Sequence, residues 1–126
     1  MNRVIAFVSL LVALLVSQAL VAGGLAPPPG YRVDKKIKRI FEAKCATCHG
    51  DDGRGRTEEG RDMDIADMTK AAYWKDLTLE VARKEVLEGL KRTSKSGKAQ
   101  EMKPFRDRLT PEQIDALNIY ASSLKK

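Results

Sequence analysis

The sequence predicts an all-α fold, a small domain of three to four helices. Three apolar stripes recur at the i, i+3, i+4 spacing of a helix with one buried face. A capping residue stands before each of them. No convincing alternating strand pattern occurs, and the 126 residues leave room for one modest domain.

The elements follow in order along the chain. Asn2 and Arg3 precede an almost unbroken apolar run from Val4 to Val16, and small residues at Ser17-Gln18-Ala19 and Ala22-Gly23-Gly24 offer cleavage sites. This is the layout of a secretory signal, which we place at residues 1–22. An uncleaved anchor is the competing reading, since the apolar run extends to Ala22 and then nearly spans a bilayer. Either way the remainder is expected outside the cytoplasm, periplasmic and either soluble or N-terminally anchored. Residues 23–33, with Pro27-Pro28-Pro29, read as an extended spacer. The domain itself is assigned to 34–126.

Asp34 caps the first helix, whose buried face is Ile37, Ile40 and Phe41. Thr78 caps the second, with Leu79, Ala82, Val86 and Leu90 as its stripe and Gly89 at its end. Thr110, Pro111 and Gln113 form the capping box of the last, which buries Ile114, Leu117, Tyr120 or Ala121, and Leu124. Between them lie two irregular stretches, Gly50–Lys70 and Thr93–Arg108. Three short helices make a thin core, and a large flat cofactor would supply the missing apolar volume.

The chain has two cysteines and one histidine, and all three fall in Cys45-Ala46-Thr47-Cys48-His49. Two thiols three apart share one side of a helical turn, where both can add across the vinyl groups of a haem edge. The adjoining imidazole then projects toward the iron. The pattern is that of c-type haem attachment. A thioredoxin-like pair would sit beside a βαβ unit, and a helix precedes this one. A structural zinc site needs four Cys or His ligands, one more than the chain contains. A disulfide here would close a tiny loop and leave His49 unexplained.

For the sixth iron position the residues offer Met63, Met68, Met102, a lysine or an open face. Met102 is favoured by its Met102-Lys103-Pro104-Phe105 loop, in which a proline and an aromatic stiffen the chain and exclude water. Met68 reads as a core filler. Met63, between two aspartates, is expected in solvent.

With these residues in place the chain resembles the class I cytochrome c family, in particular its small monohaem bacterial members, over 34–126. The resemblance implies the small cytochrome c fold wrapped around one covalently bound haem c. It implies Cys45 and Cys48 as the thioether residues and His49 and Met102 as axial ligands. It also implies a close crossing of the first and last helices, locked by Phe41 against Leu117 and Tyr120. Two departures stand out. Ile37 occupies the position where the family usually has glycine, which predicts a wider or rotated crossing. No proline lies between Gly30 and Pro104 to accept the His49 N–H, so a carbonyl of Gly50–Lys70 is expected to serve.

The formal net charge is +6, from 23 basic and 17 acidic side chains, and the basic residues alternate with acids. Nucleic acid is not implied. Lys91, Arg92, Lys95, Lys98, Lys103, Arg106 and Arg108 surround the Met102 loop, against Glu101 and Asp107. They suggest redox protein partners with acidic docking surfaces. The expected role is a single-electron shuttle and not an enzyme. A haem subunit of a larger oxidoreductase is one alternative. A haem sensor or peroxidase with a labile sixth ligand is the other.

Overall fold

The computed structural model describes residues 24–126. The expected signal at 1–22 lies outside the described residues. Among the described residues no helix is long and apolar enough to cross a membrane.

Helix α1 spans Lys35–Lys44. The Asp34 carboxylate accepts the Lys36 N–H at 2.7 Å, satisfying one of the unpaired donors of the first turn. The stripe buries Ile37 and Phe41 and half-buries Ile40. One residue later the chain re-enters a short helix, α2, over Ala46–His49. Two further short helices follow, α3 at Glu58–Asp62 and α4 at Ala71–Trp74. Helix α5 runs Leu79–Glu88 and α6 runs Pro111–Ser122. In α6 the Gln113 N–H donates to Thr110 Oγ1 at 3.2 Å, and the Thr110 N–H donates to Gln113 Oε1 at 3.0 Å. The reciprocal bonds close the expected capping box.

Helix α6 packs on both α1 and α5. Its buried face, with Ile114 fully covered and Leu117, Tyr120 and Ala121 nearly so, forms the centre of the core. Arg83 on α5 holds Asp115 on α6 through a two-pronged ion pair, with Nε 2.6 Å from Oδ1. The Ile37 that replaces a glycine is itself buried in this core.

Three or four helices were expected and six are present among the described residues, because α2, α3 and α4 add single short turns of helix, of which only α3 falls within the Gly50–Lys70 stretch. It also contains a two-stranded antiparallel hairpin, β1 Leu90–Thr93 with β2 Ala99–Met102. Leu90 faces Met102 and Arg92 faces Gln100. Leu90 therefore belongs to β1 and not to the second helix. The turn is set by Gly97, whose φ of 86° suits glycine, and by the Gly97 N–H donating to the Ser94 carbonyl at 3.0 Å.

The Pro/Gly-rich stretch is attached to the domain from its start. Leu25 is buried in the core, and its N–H donates to the Leu77 carbonyl at 2.7 Å. At the other end the Lys126 N–H donates to the Thr69 carbonyl at 3.0 Å. Both ends thus lie on the 69–77 segment.

Candidate functional site

Helices α1, α5 and α6, the 63–77 segment and the hairpin enclose a cavity of about 590 Å³. Cys45, Cys48 and His49 line one part of its wall, and Met63, Met68 and Met102 line others. Most of the remaining wall is apolar, including Trp74, Leu77, Val86, Phe105 and Leu117. A volume of several hundred Å³ with a few polar groups is the form of a cofactor site.

The cysteine motif is positioned from its backbone. The Cys45 N–H donates to the Phe41 carbonyl at 2.8 Å, so α1 hands its register to the motif. The His49 N–H donates to the Cys45 carbonyl at 2.9 Å, completing one turn that carries both thiols and the imidazole. On the outer side, Thr57 Oγ1 donates to the Cys48 carbonyl at 3.2 Å and accepts the Gly60 N–H at 2.9 Å. Helix α3 then lies so close that a Cβ at Gly60 would stand 2.2 Å from the Gly55 carbonyl oxygen and 2.5 Å from that of Cys48. Only glycine permits this approach.

Cys45 and Cys48 are unpaired thiols. Burial pushes Cys45 up to about 11 and also raises Cys48. At neutral pH both are held as S–H, the form whose net addition across a vinyl group gives a thioether. Burial lowers the His49 pKa, keeping the imidazole neutral with a free lone pair. Its Nδ1 is sealed from solvent and has no hydrogen-bond partner. The carbonyl of the Gly50–Lys70 loop that was expected to accept this N–H therefore does not do so. Within that loop the Gly53 carbonyl accepts from the Met68 N–H and the Gly60 carbonyl from the Ile65 N–H. The neutral imidazole, the two free thiols and the apolar walls fit a haem held through Cys45, Cys48 and His49.

The three methionines differ in how they are held. Met68 is buried, with its N–H donating to the Gly53 carbonyl and its own carbonyl accepting the Trp74 Nε1–H at 2.7 Å. Met63 is half-buried on the cavity wall and not in solvent as its acidic neighbours suggested. The cause is Gln100, whose Nε2 donates to the Met63 and Asp64 carbonyls at 2.8 and 2.7 Å, drawing that loop onto the hairpin. Met102 ends β2 and is not in an irregular loop. A Cβ at Gly89 would stand 2.6 Å from its carbonyl oxygen. Three residues on, the Phe105 N–H donates to the Val86 carbonyl at 3.0 Å. Met102 is thus fixed by the hairpin on one side and by the end of α5 on the other.

Sequence reasoning missed Gln100 and Gly60. Gln100 is one of four residues in a strand too short to show alternation. Gly60 sits in a charged stretch whose closeness to the cysteine motif is purely tertiary.

The family model for cytochrome c matches residues 35–125. Among solved structures, the KustC0563 c-type cytochrome is 27% identical with a TM-score of 0.58, covering 71% of this chain and 96% of that one. A Kustc0563 mutant is likewise 27% identical, with a TM-score of 0.56 and coverage of 71% and 98%. No curated protein matches the chain. The match over nearly all of the described domain, together with the haem-fitting cavity, places this protein in the cytochrome c family as a haem electron-carrying protein whose haem c is covalently bound.

Proposed function

We propose that the protein is a periplasmic single-electron shuttle, not an enzyme, with His49 and Met102 as the axial ligands of its haem iron. The observation that carries this reading is that His49 and Met102 line one cavity, with Met102 fixed from two sides. Haem supplies one-electron chemistry by cycling between ferric and ferrous iron. The chain's part is to keep both ligands in place in either state, so that little rearranges on transfer. A thioether ligand favours the ferrous state and raises the potential. Apolar burial acts in the same direction by disfavouring the extra ferric charge.

The export expectation rests on the leader at 1–22. The exposed basic groups of the hairpin and its sequel, Lys95, Lys98, Lys103 and Arg106 among them, support acidic redox partners and fast, salt-sensitive encounters.

The test is spectroscopic. The oxidised protein should show the near-infrared methionine–haem band, and the reduced protein should not bind CO. Met102→Ala should abolish the band and admit CO, while Met63→Ala and Met68→Ala keep the band. Ready CO binding by the unaltered protein would instead favour a sensor or peroxidase.

A further inference from the structure

Haem brings two carboxylates to a cavity whose walls are mainly apolar, and an unpaired buried carboxylate is costly. Lys44, Arg92, Lys103 and Arg108 are the basic residues on the wall. Lys44 adjoins Cys45 and so stands by the edge where the thioethers form, the macrocycle edge remote from its carboxylates. Among the described residues, only Arg92 of these four has its head group held by another side chain. Its Nε donates to Gln100 Oε1 at 2.8 Å.

Gln100 is itself 93% buried, its relative exposure being 7%. Its amide is fully committed: Nε2 donates to the carbonyls of Met63 and Asp64, and Oε1 accepts from Arg92. A glutamine anchored in this way cannot turn, so it holds the guanidinium by its Nε edge at a fixed point of the wall. With Nε occupied, the two terminal nitrogens of Arg92 remain to donate in parallel, the geometry that matches a carboxylate. The register supplies the direction. Arg92 faces Gln100 across the hairpin and Leu90 faces Met102, so the four residues share one face of the pleat, and all four line the cavity. Tyr73 marks the same wall. Burial raises its phenol most, the Glu85 carboxylate adds to this and Arg92 opposes it. The presence of Glu85 increases the need for a cation there.

We infer that Arg92, oriented by Gln100, is the anchor for a haem carboxylate, presented from the same hairpin that carries Met102. This rests on the haem site described above. It removes Arg92 from the partner-docking set and gives it a structural ligand inside the molecule.

The test uses haem-loaded full-length protein, with covalent haem confirmed by its absorption spectrum. Failure of the haem reading is thereby separated from failure of this one. Midpoint potentials and proton NMR spectra are compared for Arg92→Gln, Arg92→Lys and Lys95→Gln. Arg92 and Lys95 are both exposed and on the same hairpin, and each Gln variant removes one positive charge. An anchor predicts that Arg92→Gln lowers the potential several times more than Lys95→Gln and shifts the haem propionate methylene resonances. Arg92→Lys should recover only part of the potential. Gln100→Met keeps the volume but releases the guanidinium, and should move the same resonances. If that variant does not fold, the comparison of Arg92→Gln with Lys95→Gln decides alone. Equal shifts for those two, or propionate resonances that stay in place, would overturn the inference.

Discussion

The rings of Phe41 and Tyr120 meet edge to face, with centroids 5.2 Å apart and planes at 68°. One comes from α1, four residues before the first haem cysteine, and the other from the C-terminal part of the α6 buried face. Both are almost fully covered. Because α1 passes its register directly to Cys45, this contact sets where the cysteine motif lies against the last helix.

Phe41→Ala should therefore destabilise the haem-loaded protein by about 3–5 kcal/mol, the usual range for losing a buried aromatic ring. Tyr120→Phe keeps the ring pair and should change stability by less than about 1 kcal/mol. Urea denaturation of both variants checks the contrast. A large loss in Tyr120→Phe would show that the hydroxyl, and not the ring contact, is what matters.

Gly89 tests the seating of Met102. Its φ is 77°, and a Cβ there would press on the Met102 carbonyl at 2.6 Å and the Pro104 nitrogen at 2.9 Å. Strain in the left-handed region alone costs roughly 1–2 kcal/mol for a non-glycine residue. Gly89→Ala should exceed that and also weaken the methionine–haem band, because the displaced backbone is that of Met102 itself. Gly30 also has positive φ but nothing within 4 Å. Gly30→Ala should cost the strain without touching the band.

A pH prediction follows from Asp67. The Thr69 hydroxyl donates to its carboxylate at 2.6 Å and the Thr69 N–H at 2.9 Å, and these bonds hold Asp67 below the usual carboxylate range. A depressed folded value means a contribution fully present above the unfolded pKa of about 4, and lost as pH falls through the folded value. Asp67→Asn should be less stable than the parent at pH 7, and the gap should close as the solution is taken well below pH ~4. A gap constant across the acid range would contradict this account.

Removal of haem gives the largest expected effect. Without haem the apolar walls around the 590 Å³ space lose their packing partner, and the thin helical core must close over it or take in water. A domain is stable by only about 5–15 kcal/mol, so a loss on that scale is decisive. A Cys45→Ala/Cys48→Ala chain prepared without haem should show no cooperative thermal transition, and circular dichroism with near-ultraviolet detection would report it.

Much of this architecture was legible because it is local. Asp34, Thr78, Thr110 and Gln113 announce helix starts through bonds made within three residues of themselves. The stripes of α1 and α6 name Phe41, Leu117 and Tyr120. The cysteine motif is a single turn of chain and carries its own spacing. The hairpin was hidden because its strands are four residues long and largely polar, so tertiary pairing decides them and not propensity. Met63 was misjudged for a related reason. Its flanking aspartates predict solvent, but Gln100, thirty-seven positions away, pulls its carbonyl inward. The unpartnered Nδ1 of His49 was equally out of reach, since a missing proline tells only which acceptor is lost.

The burial of Leu25 has a consequence for reach. A free spacer over residues 23–33 would let the domain swing through about 36–40 Å when fully stretched. With Leu25 packed in the core and Gly24 against the Trp74 carbonyl, the chain is held to the domain from position 24 onward, and residues 24–33 provide no free tether. Were positions 1–22 retained in a bilayer, the cytochrome would be pinned against the lipid headgroups like a stud and would not range outward as on a leash. Any partner would then have to come to it, in the plane of the membrane.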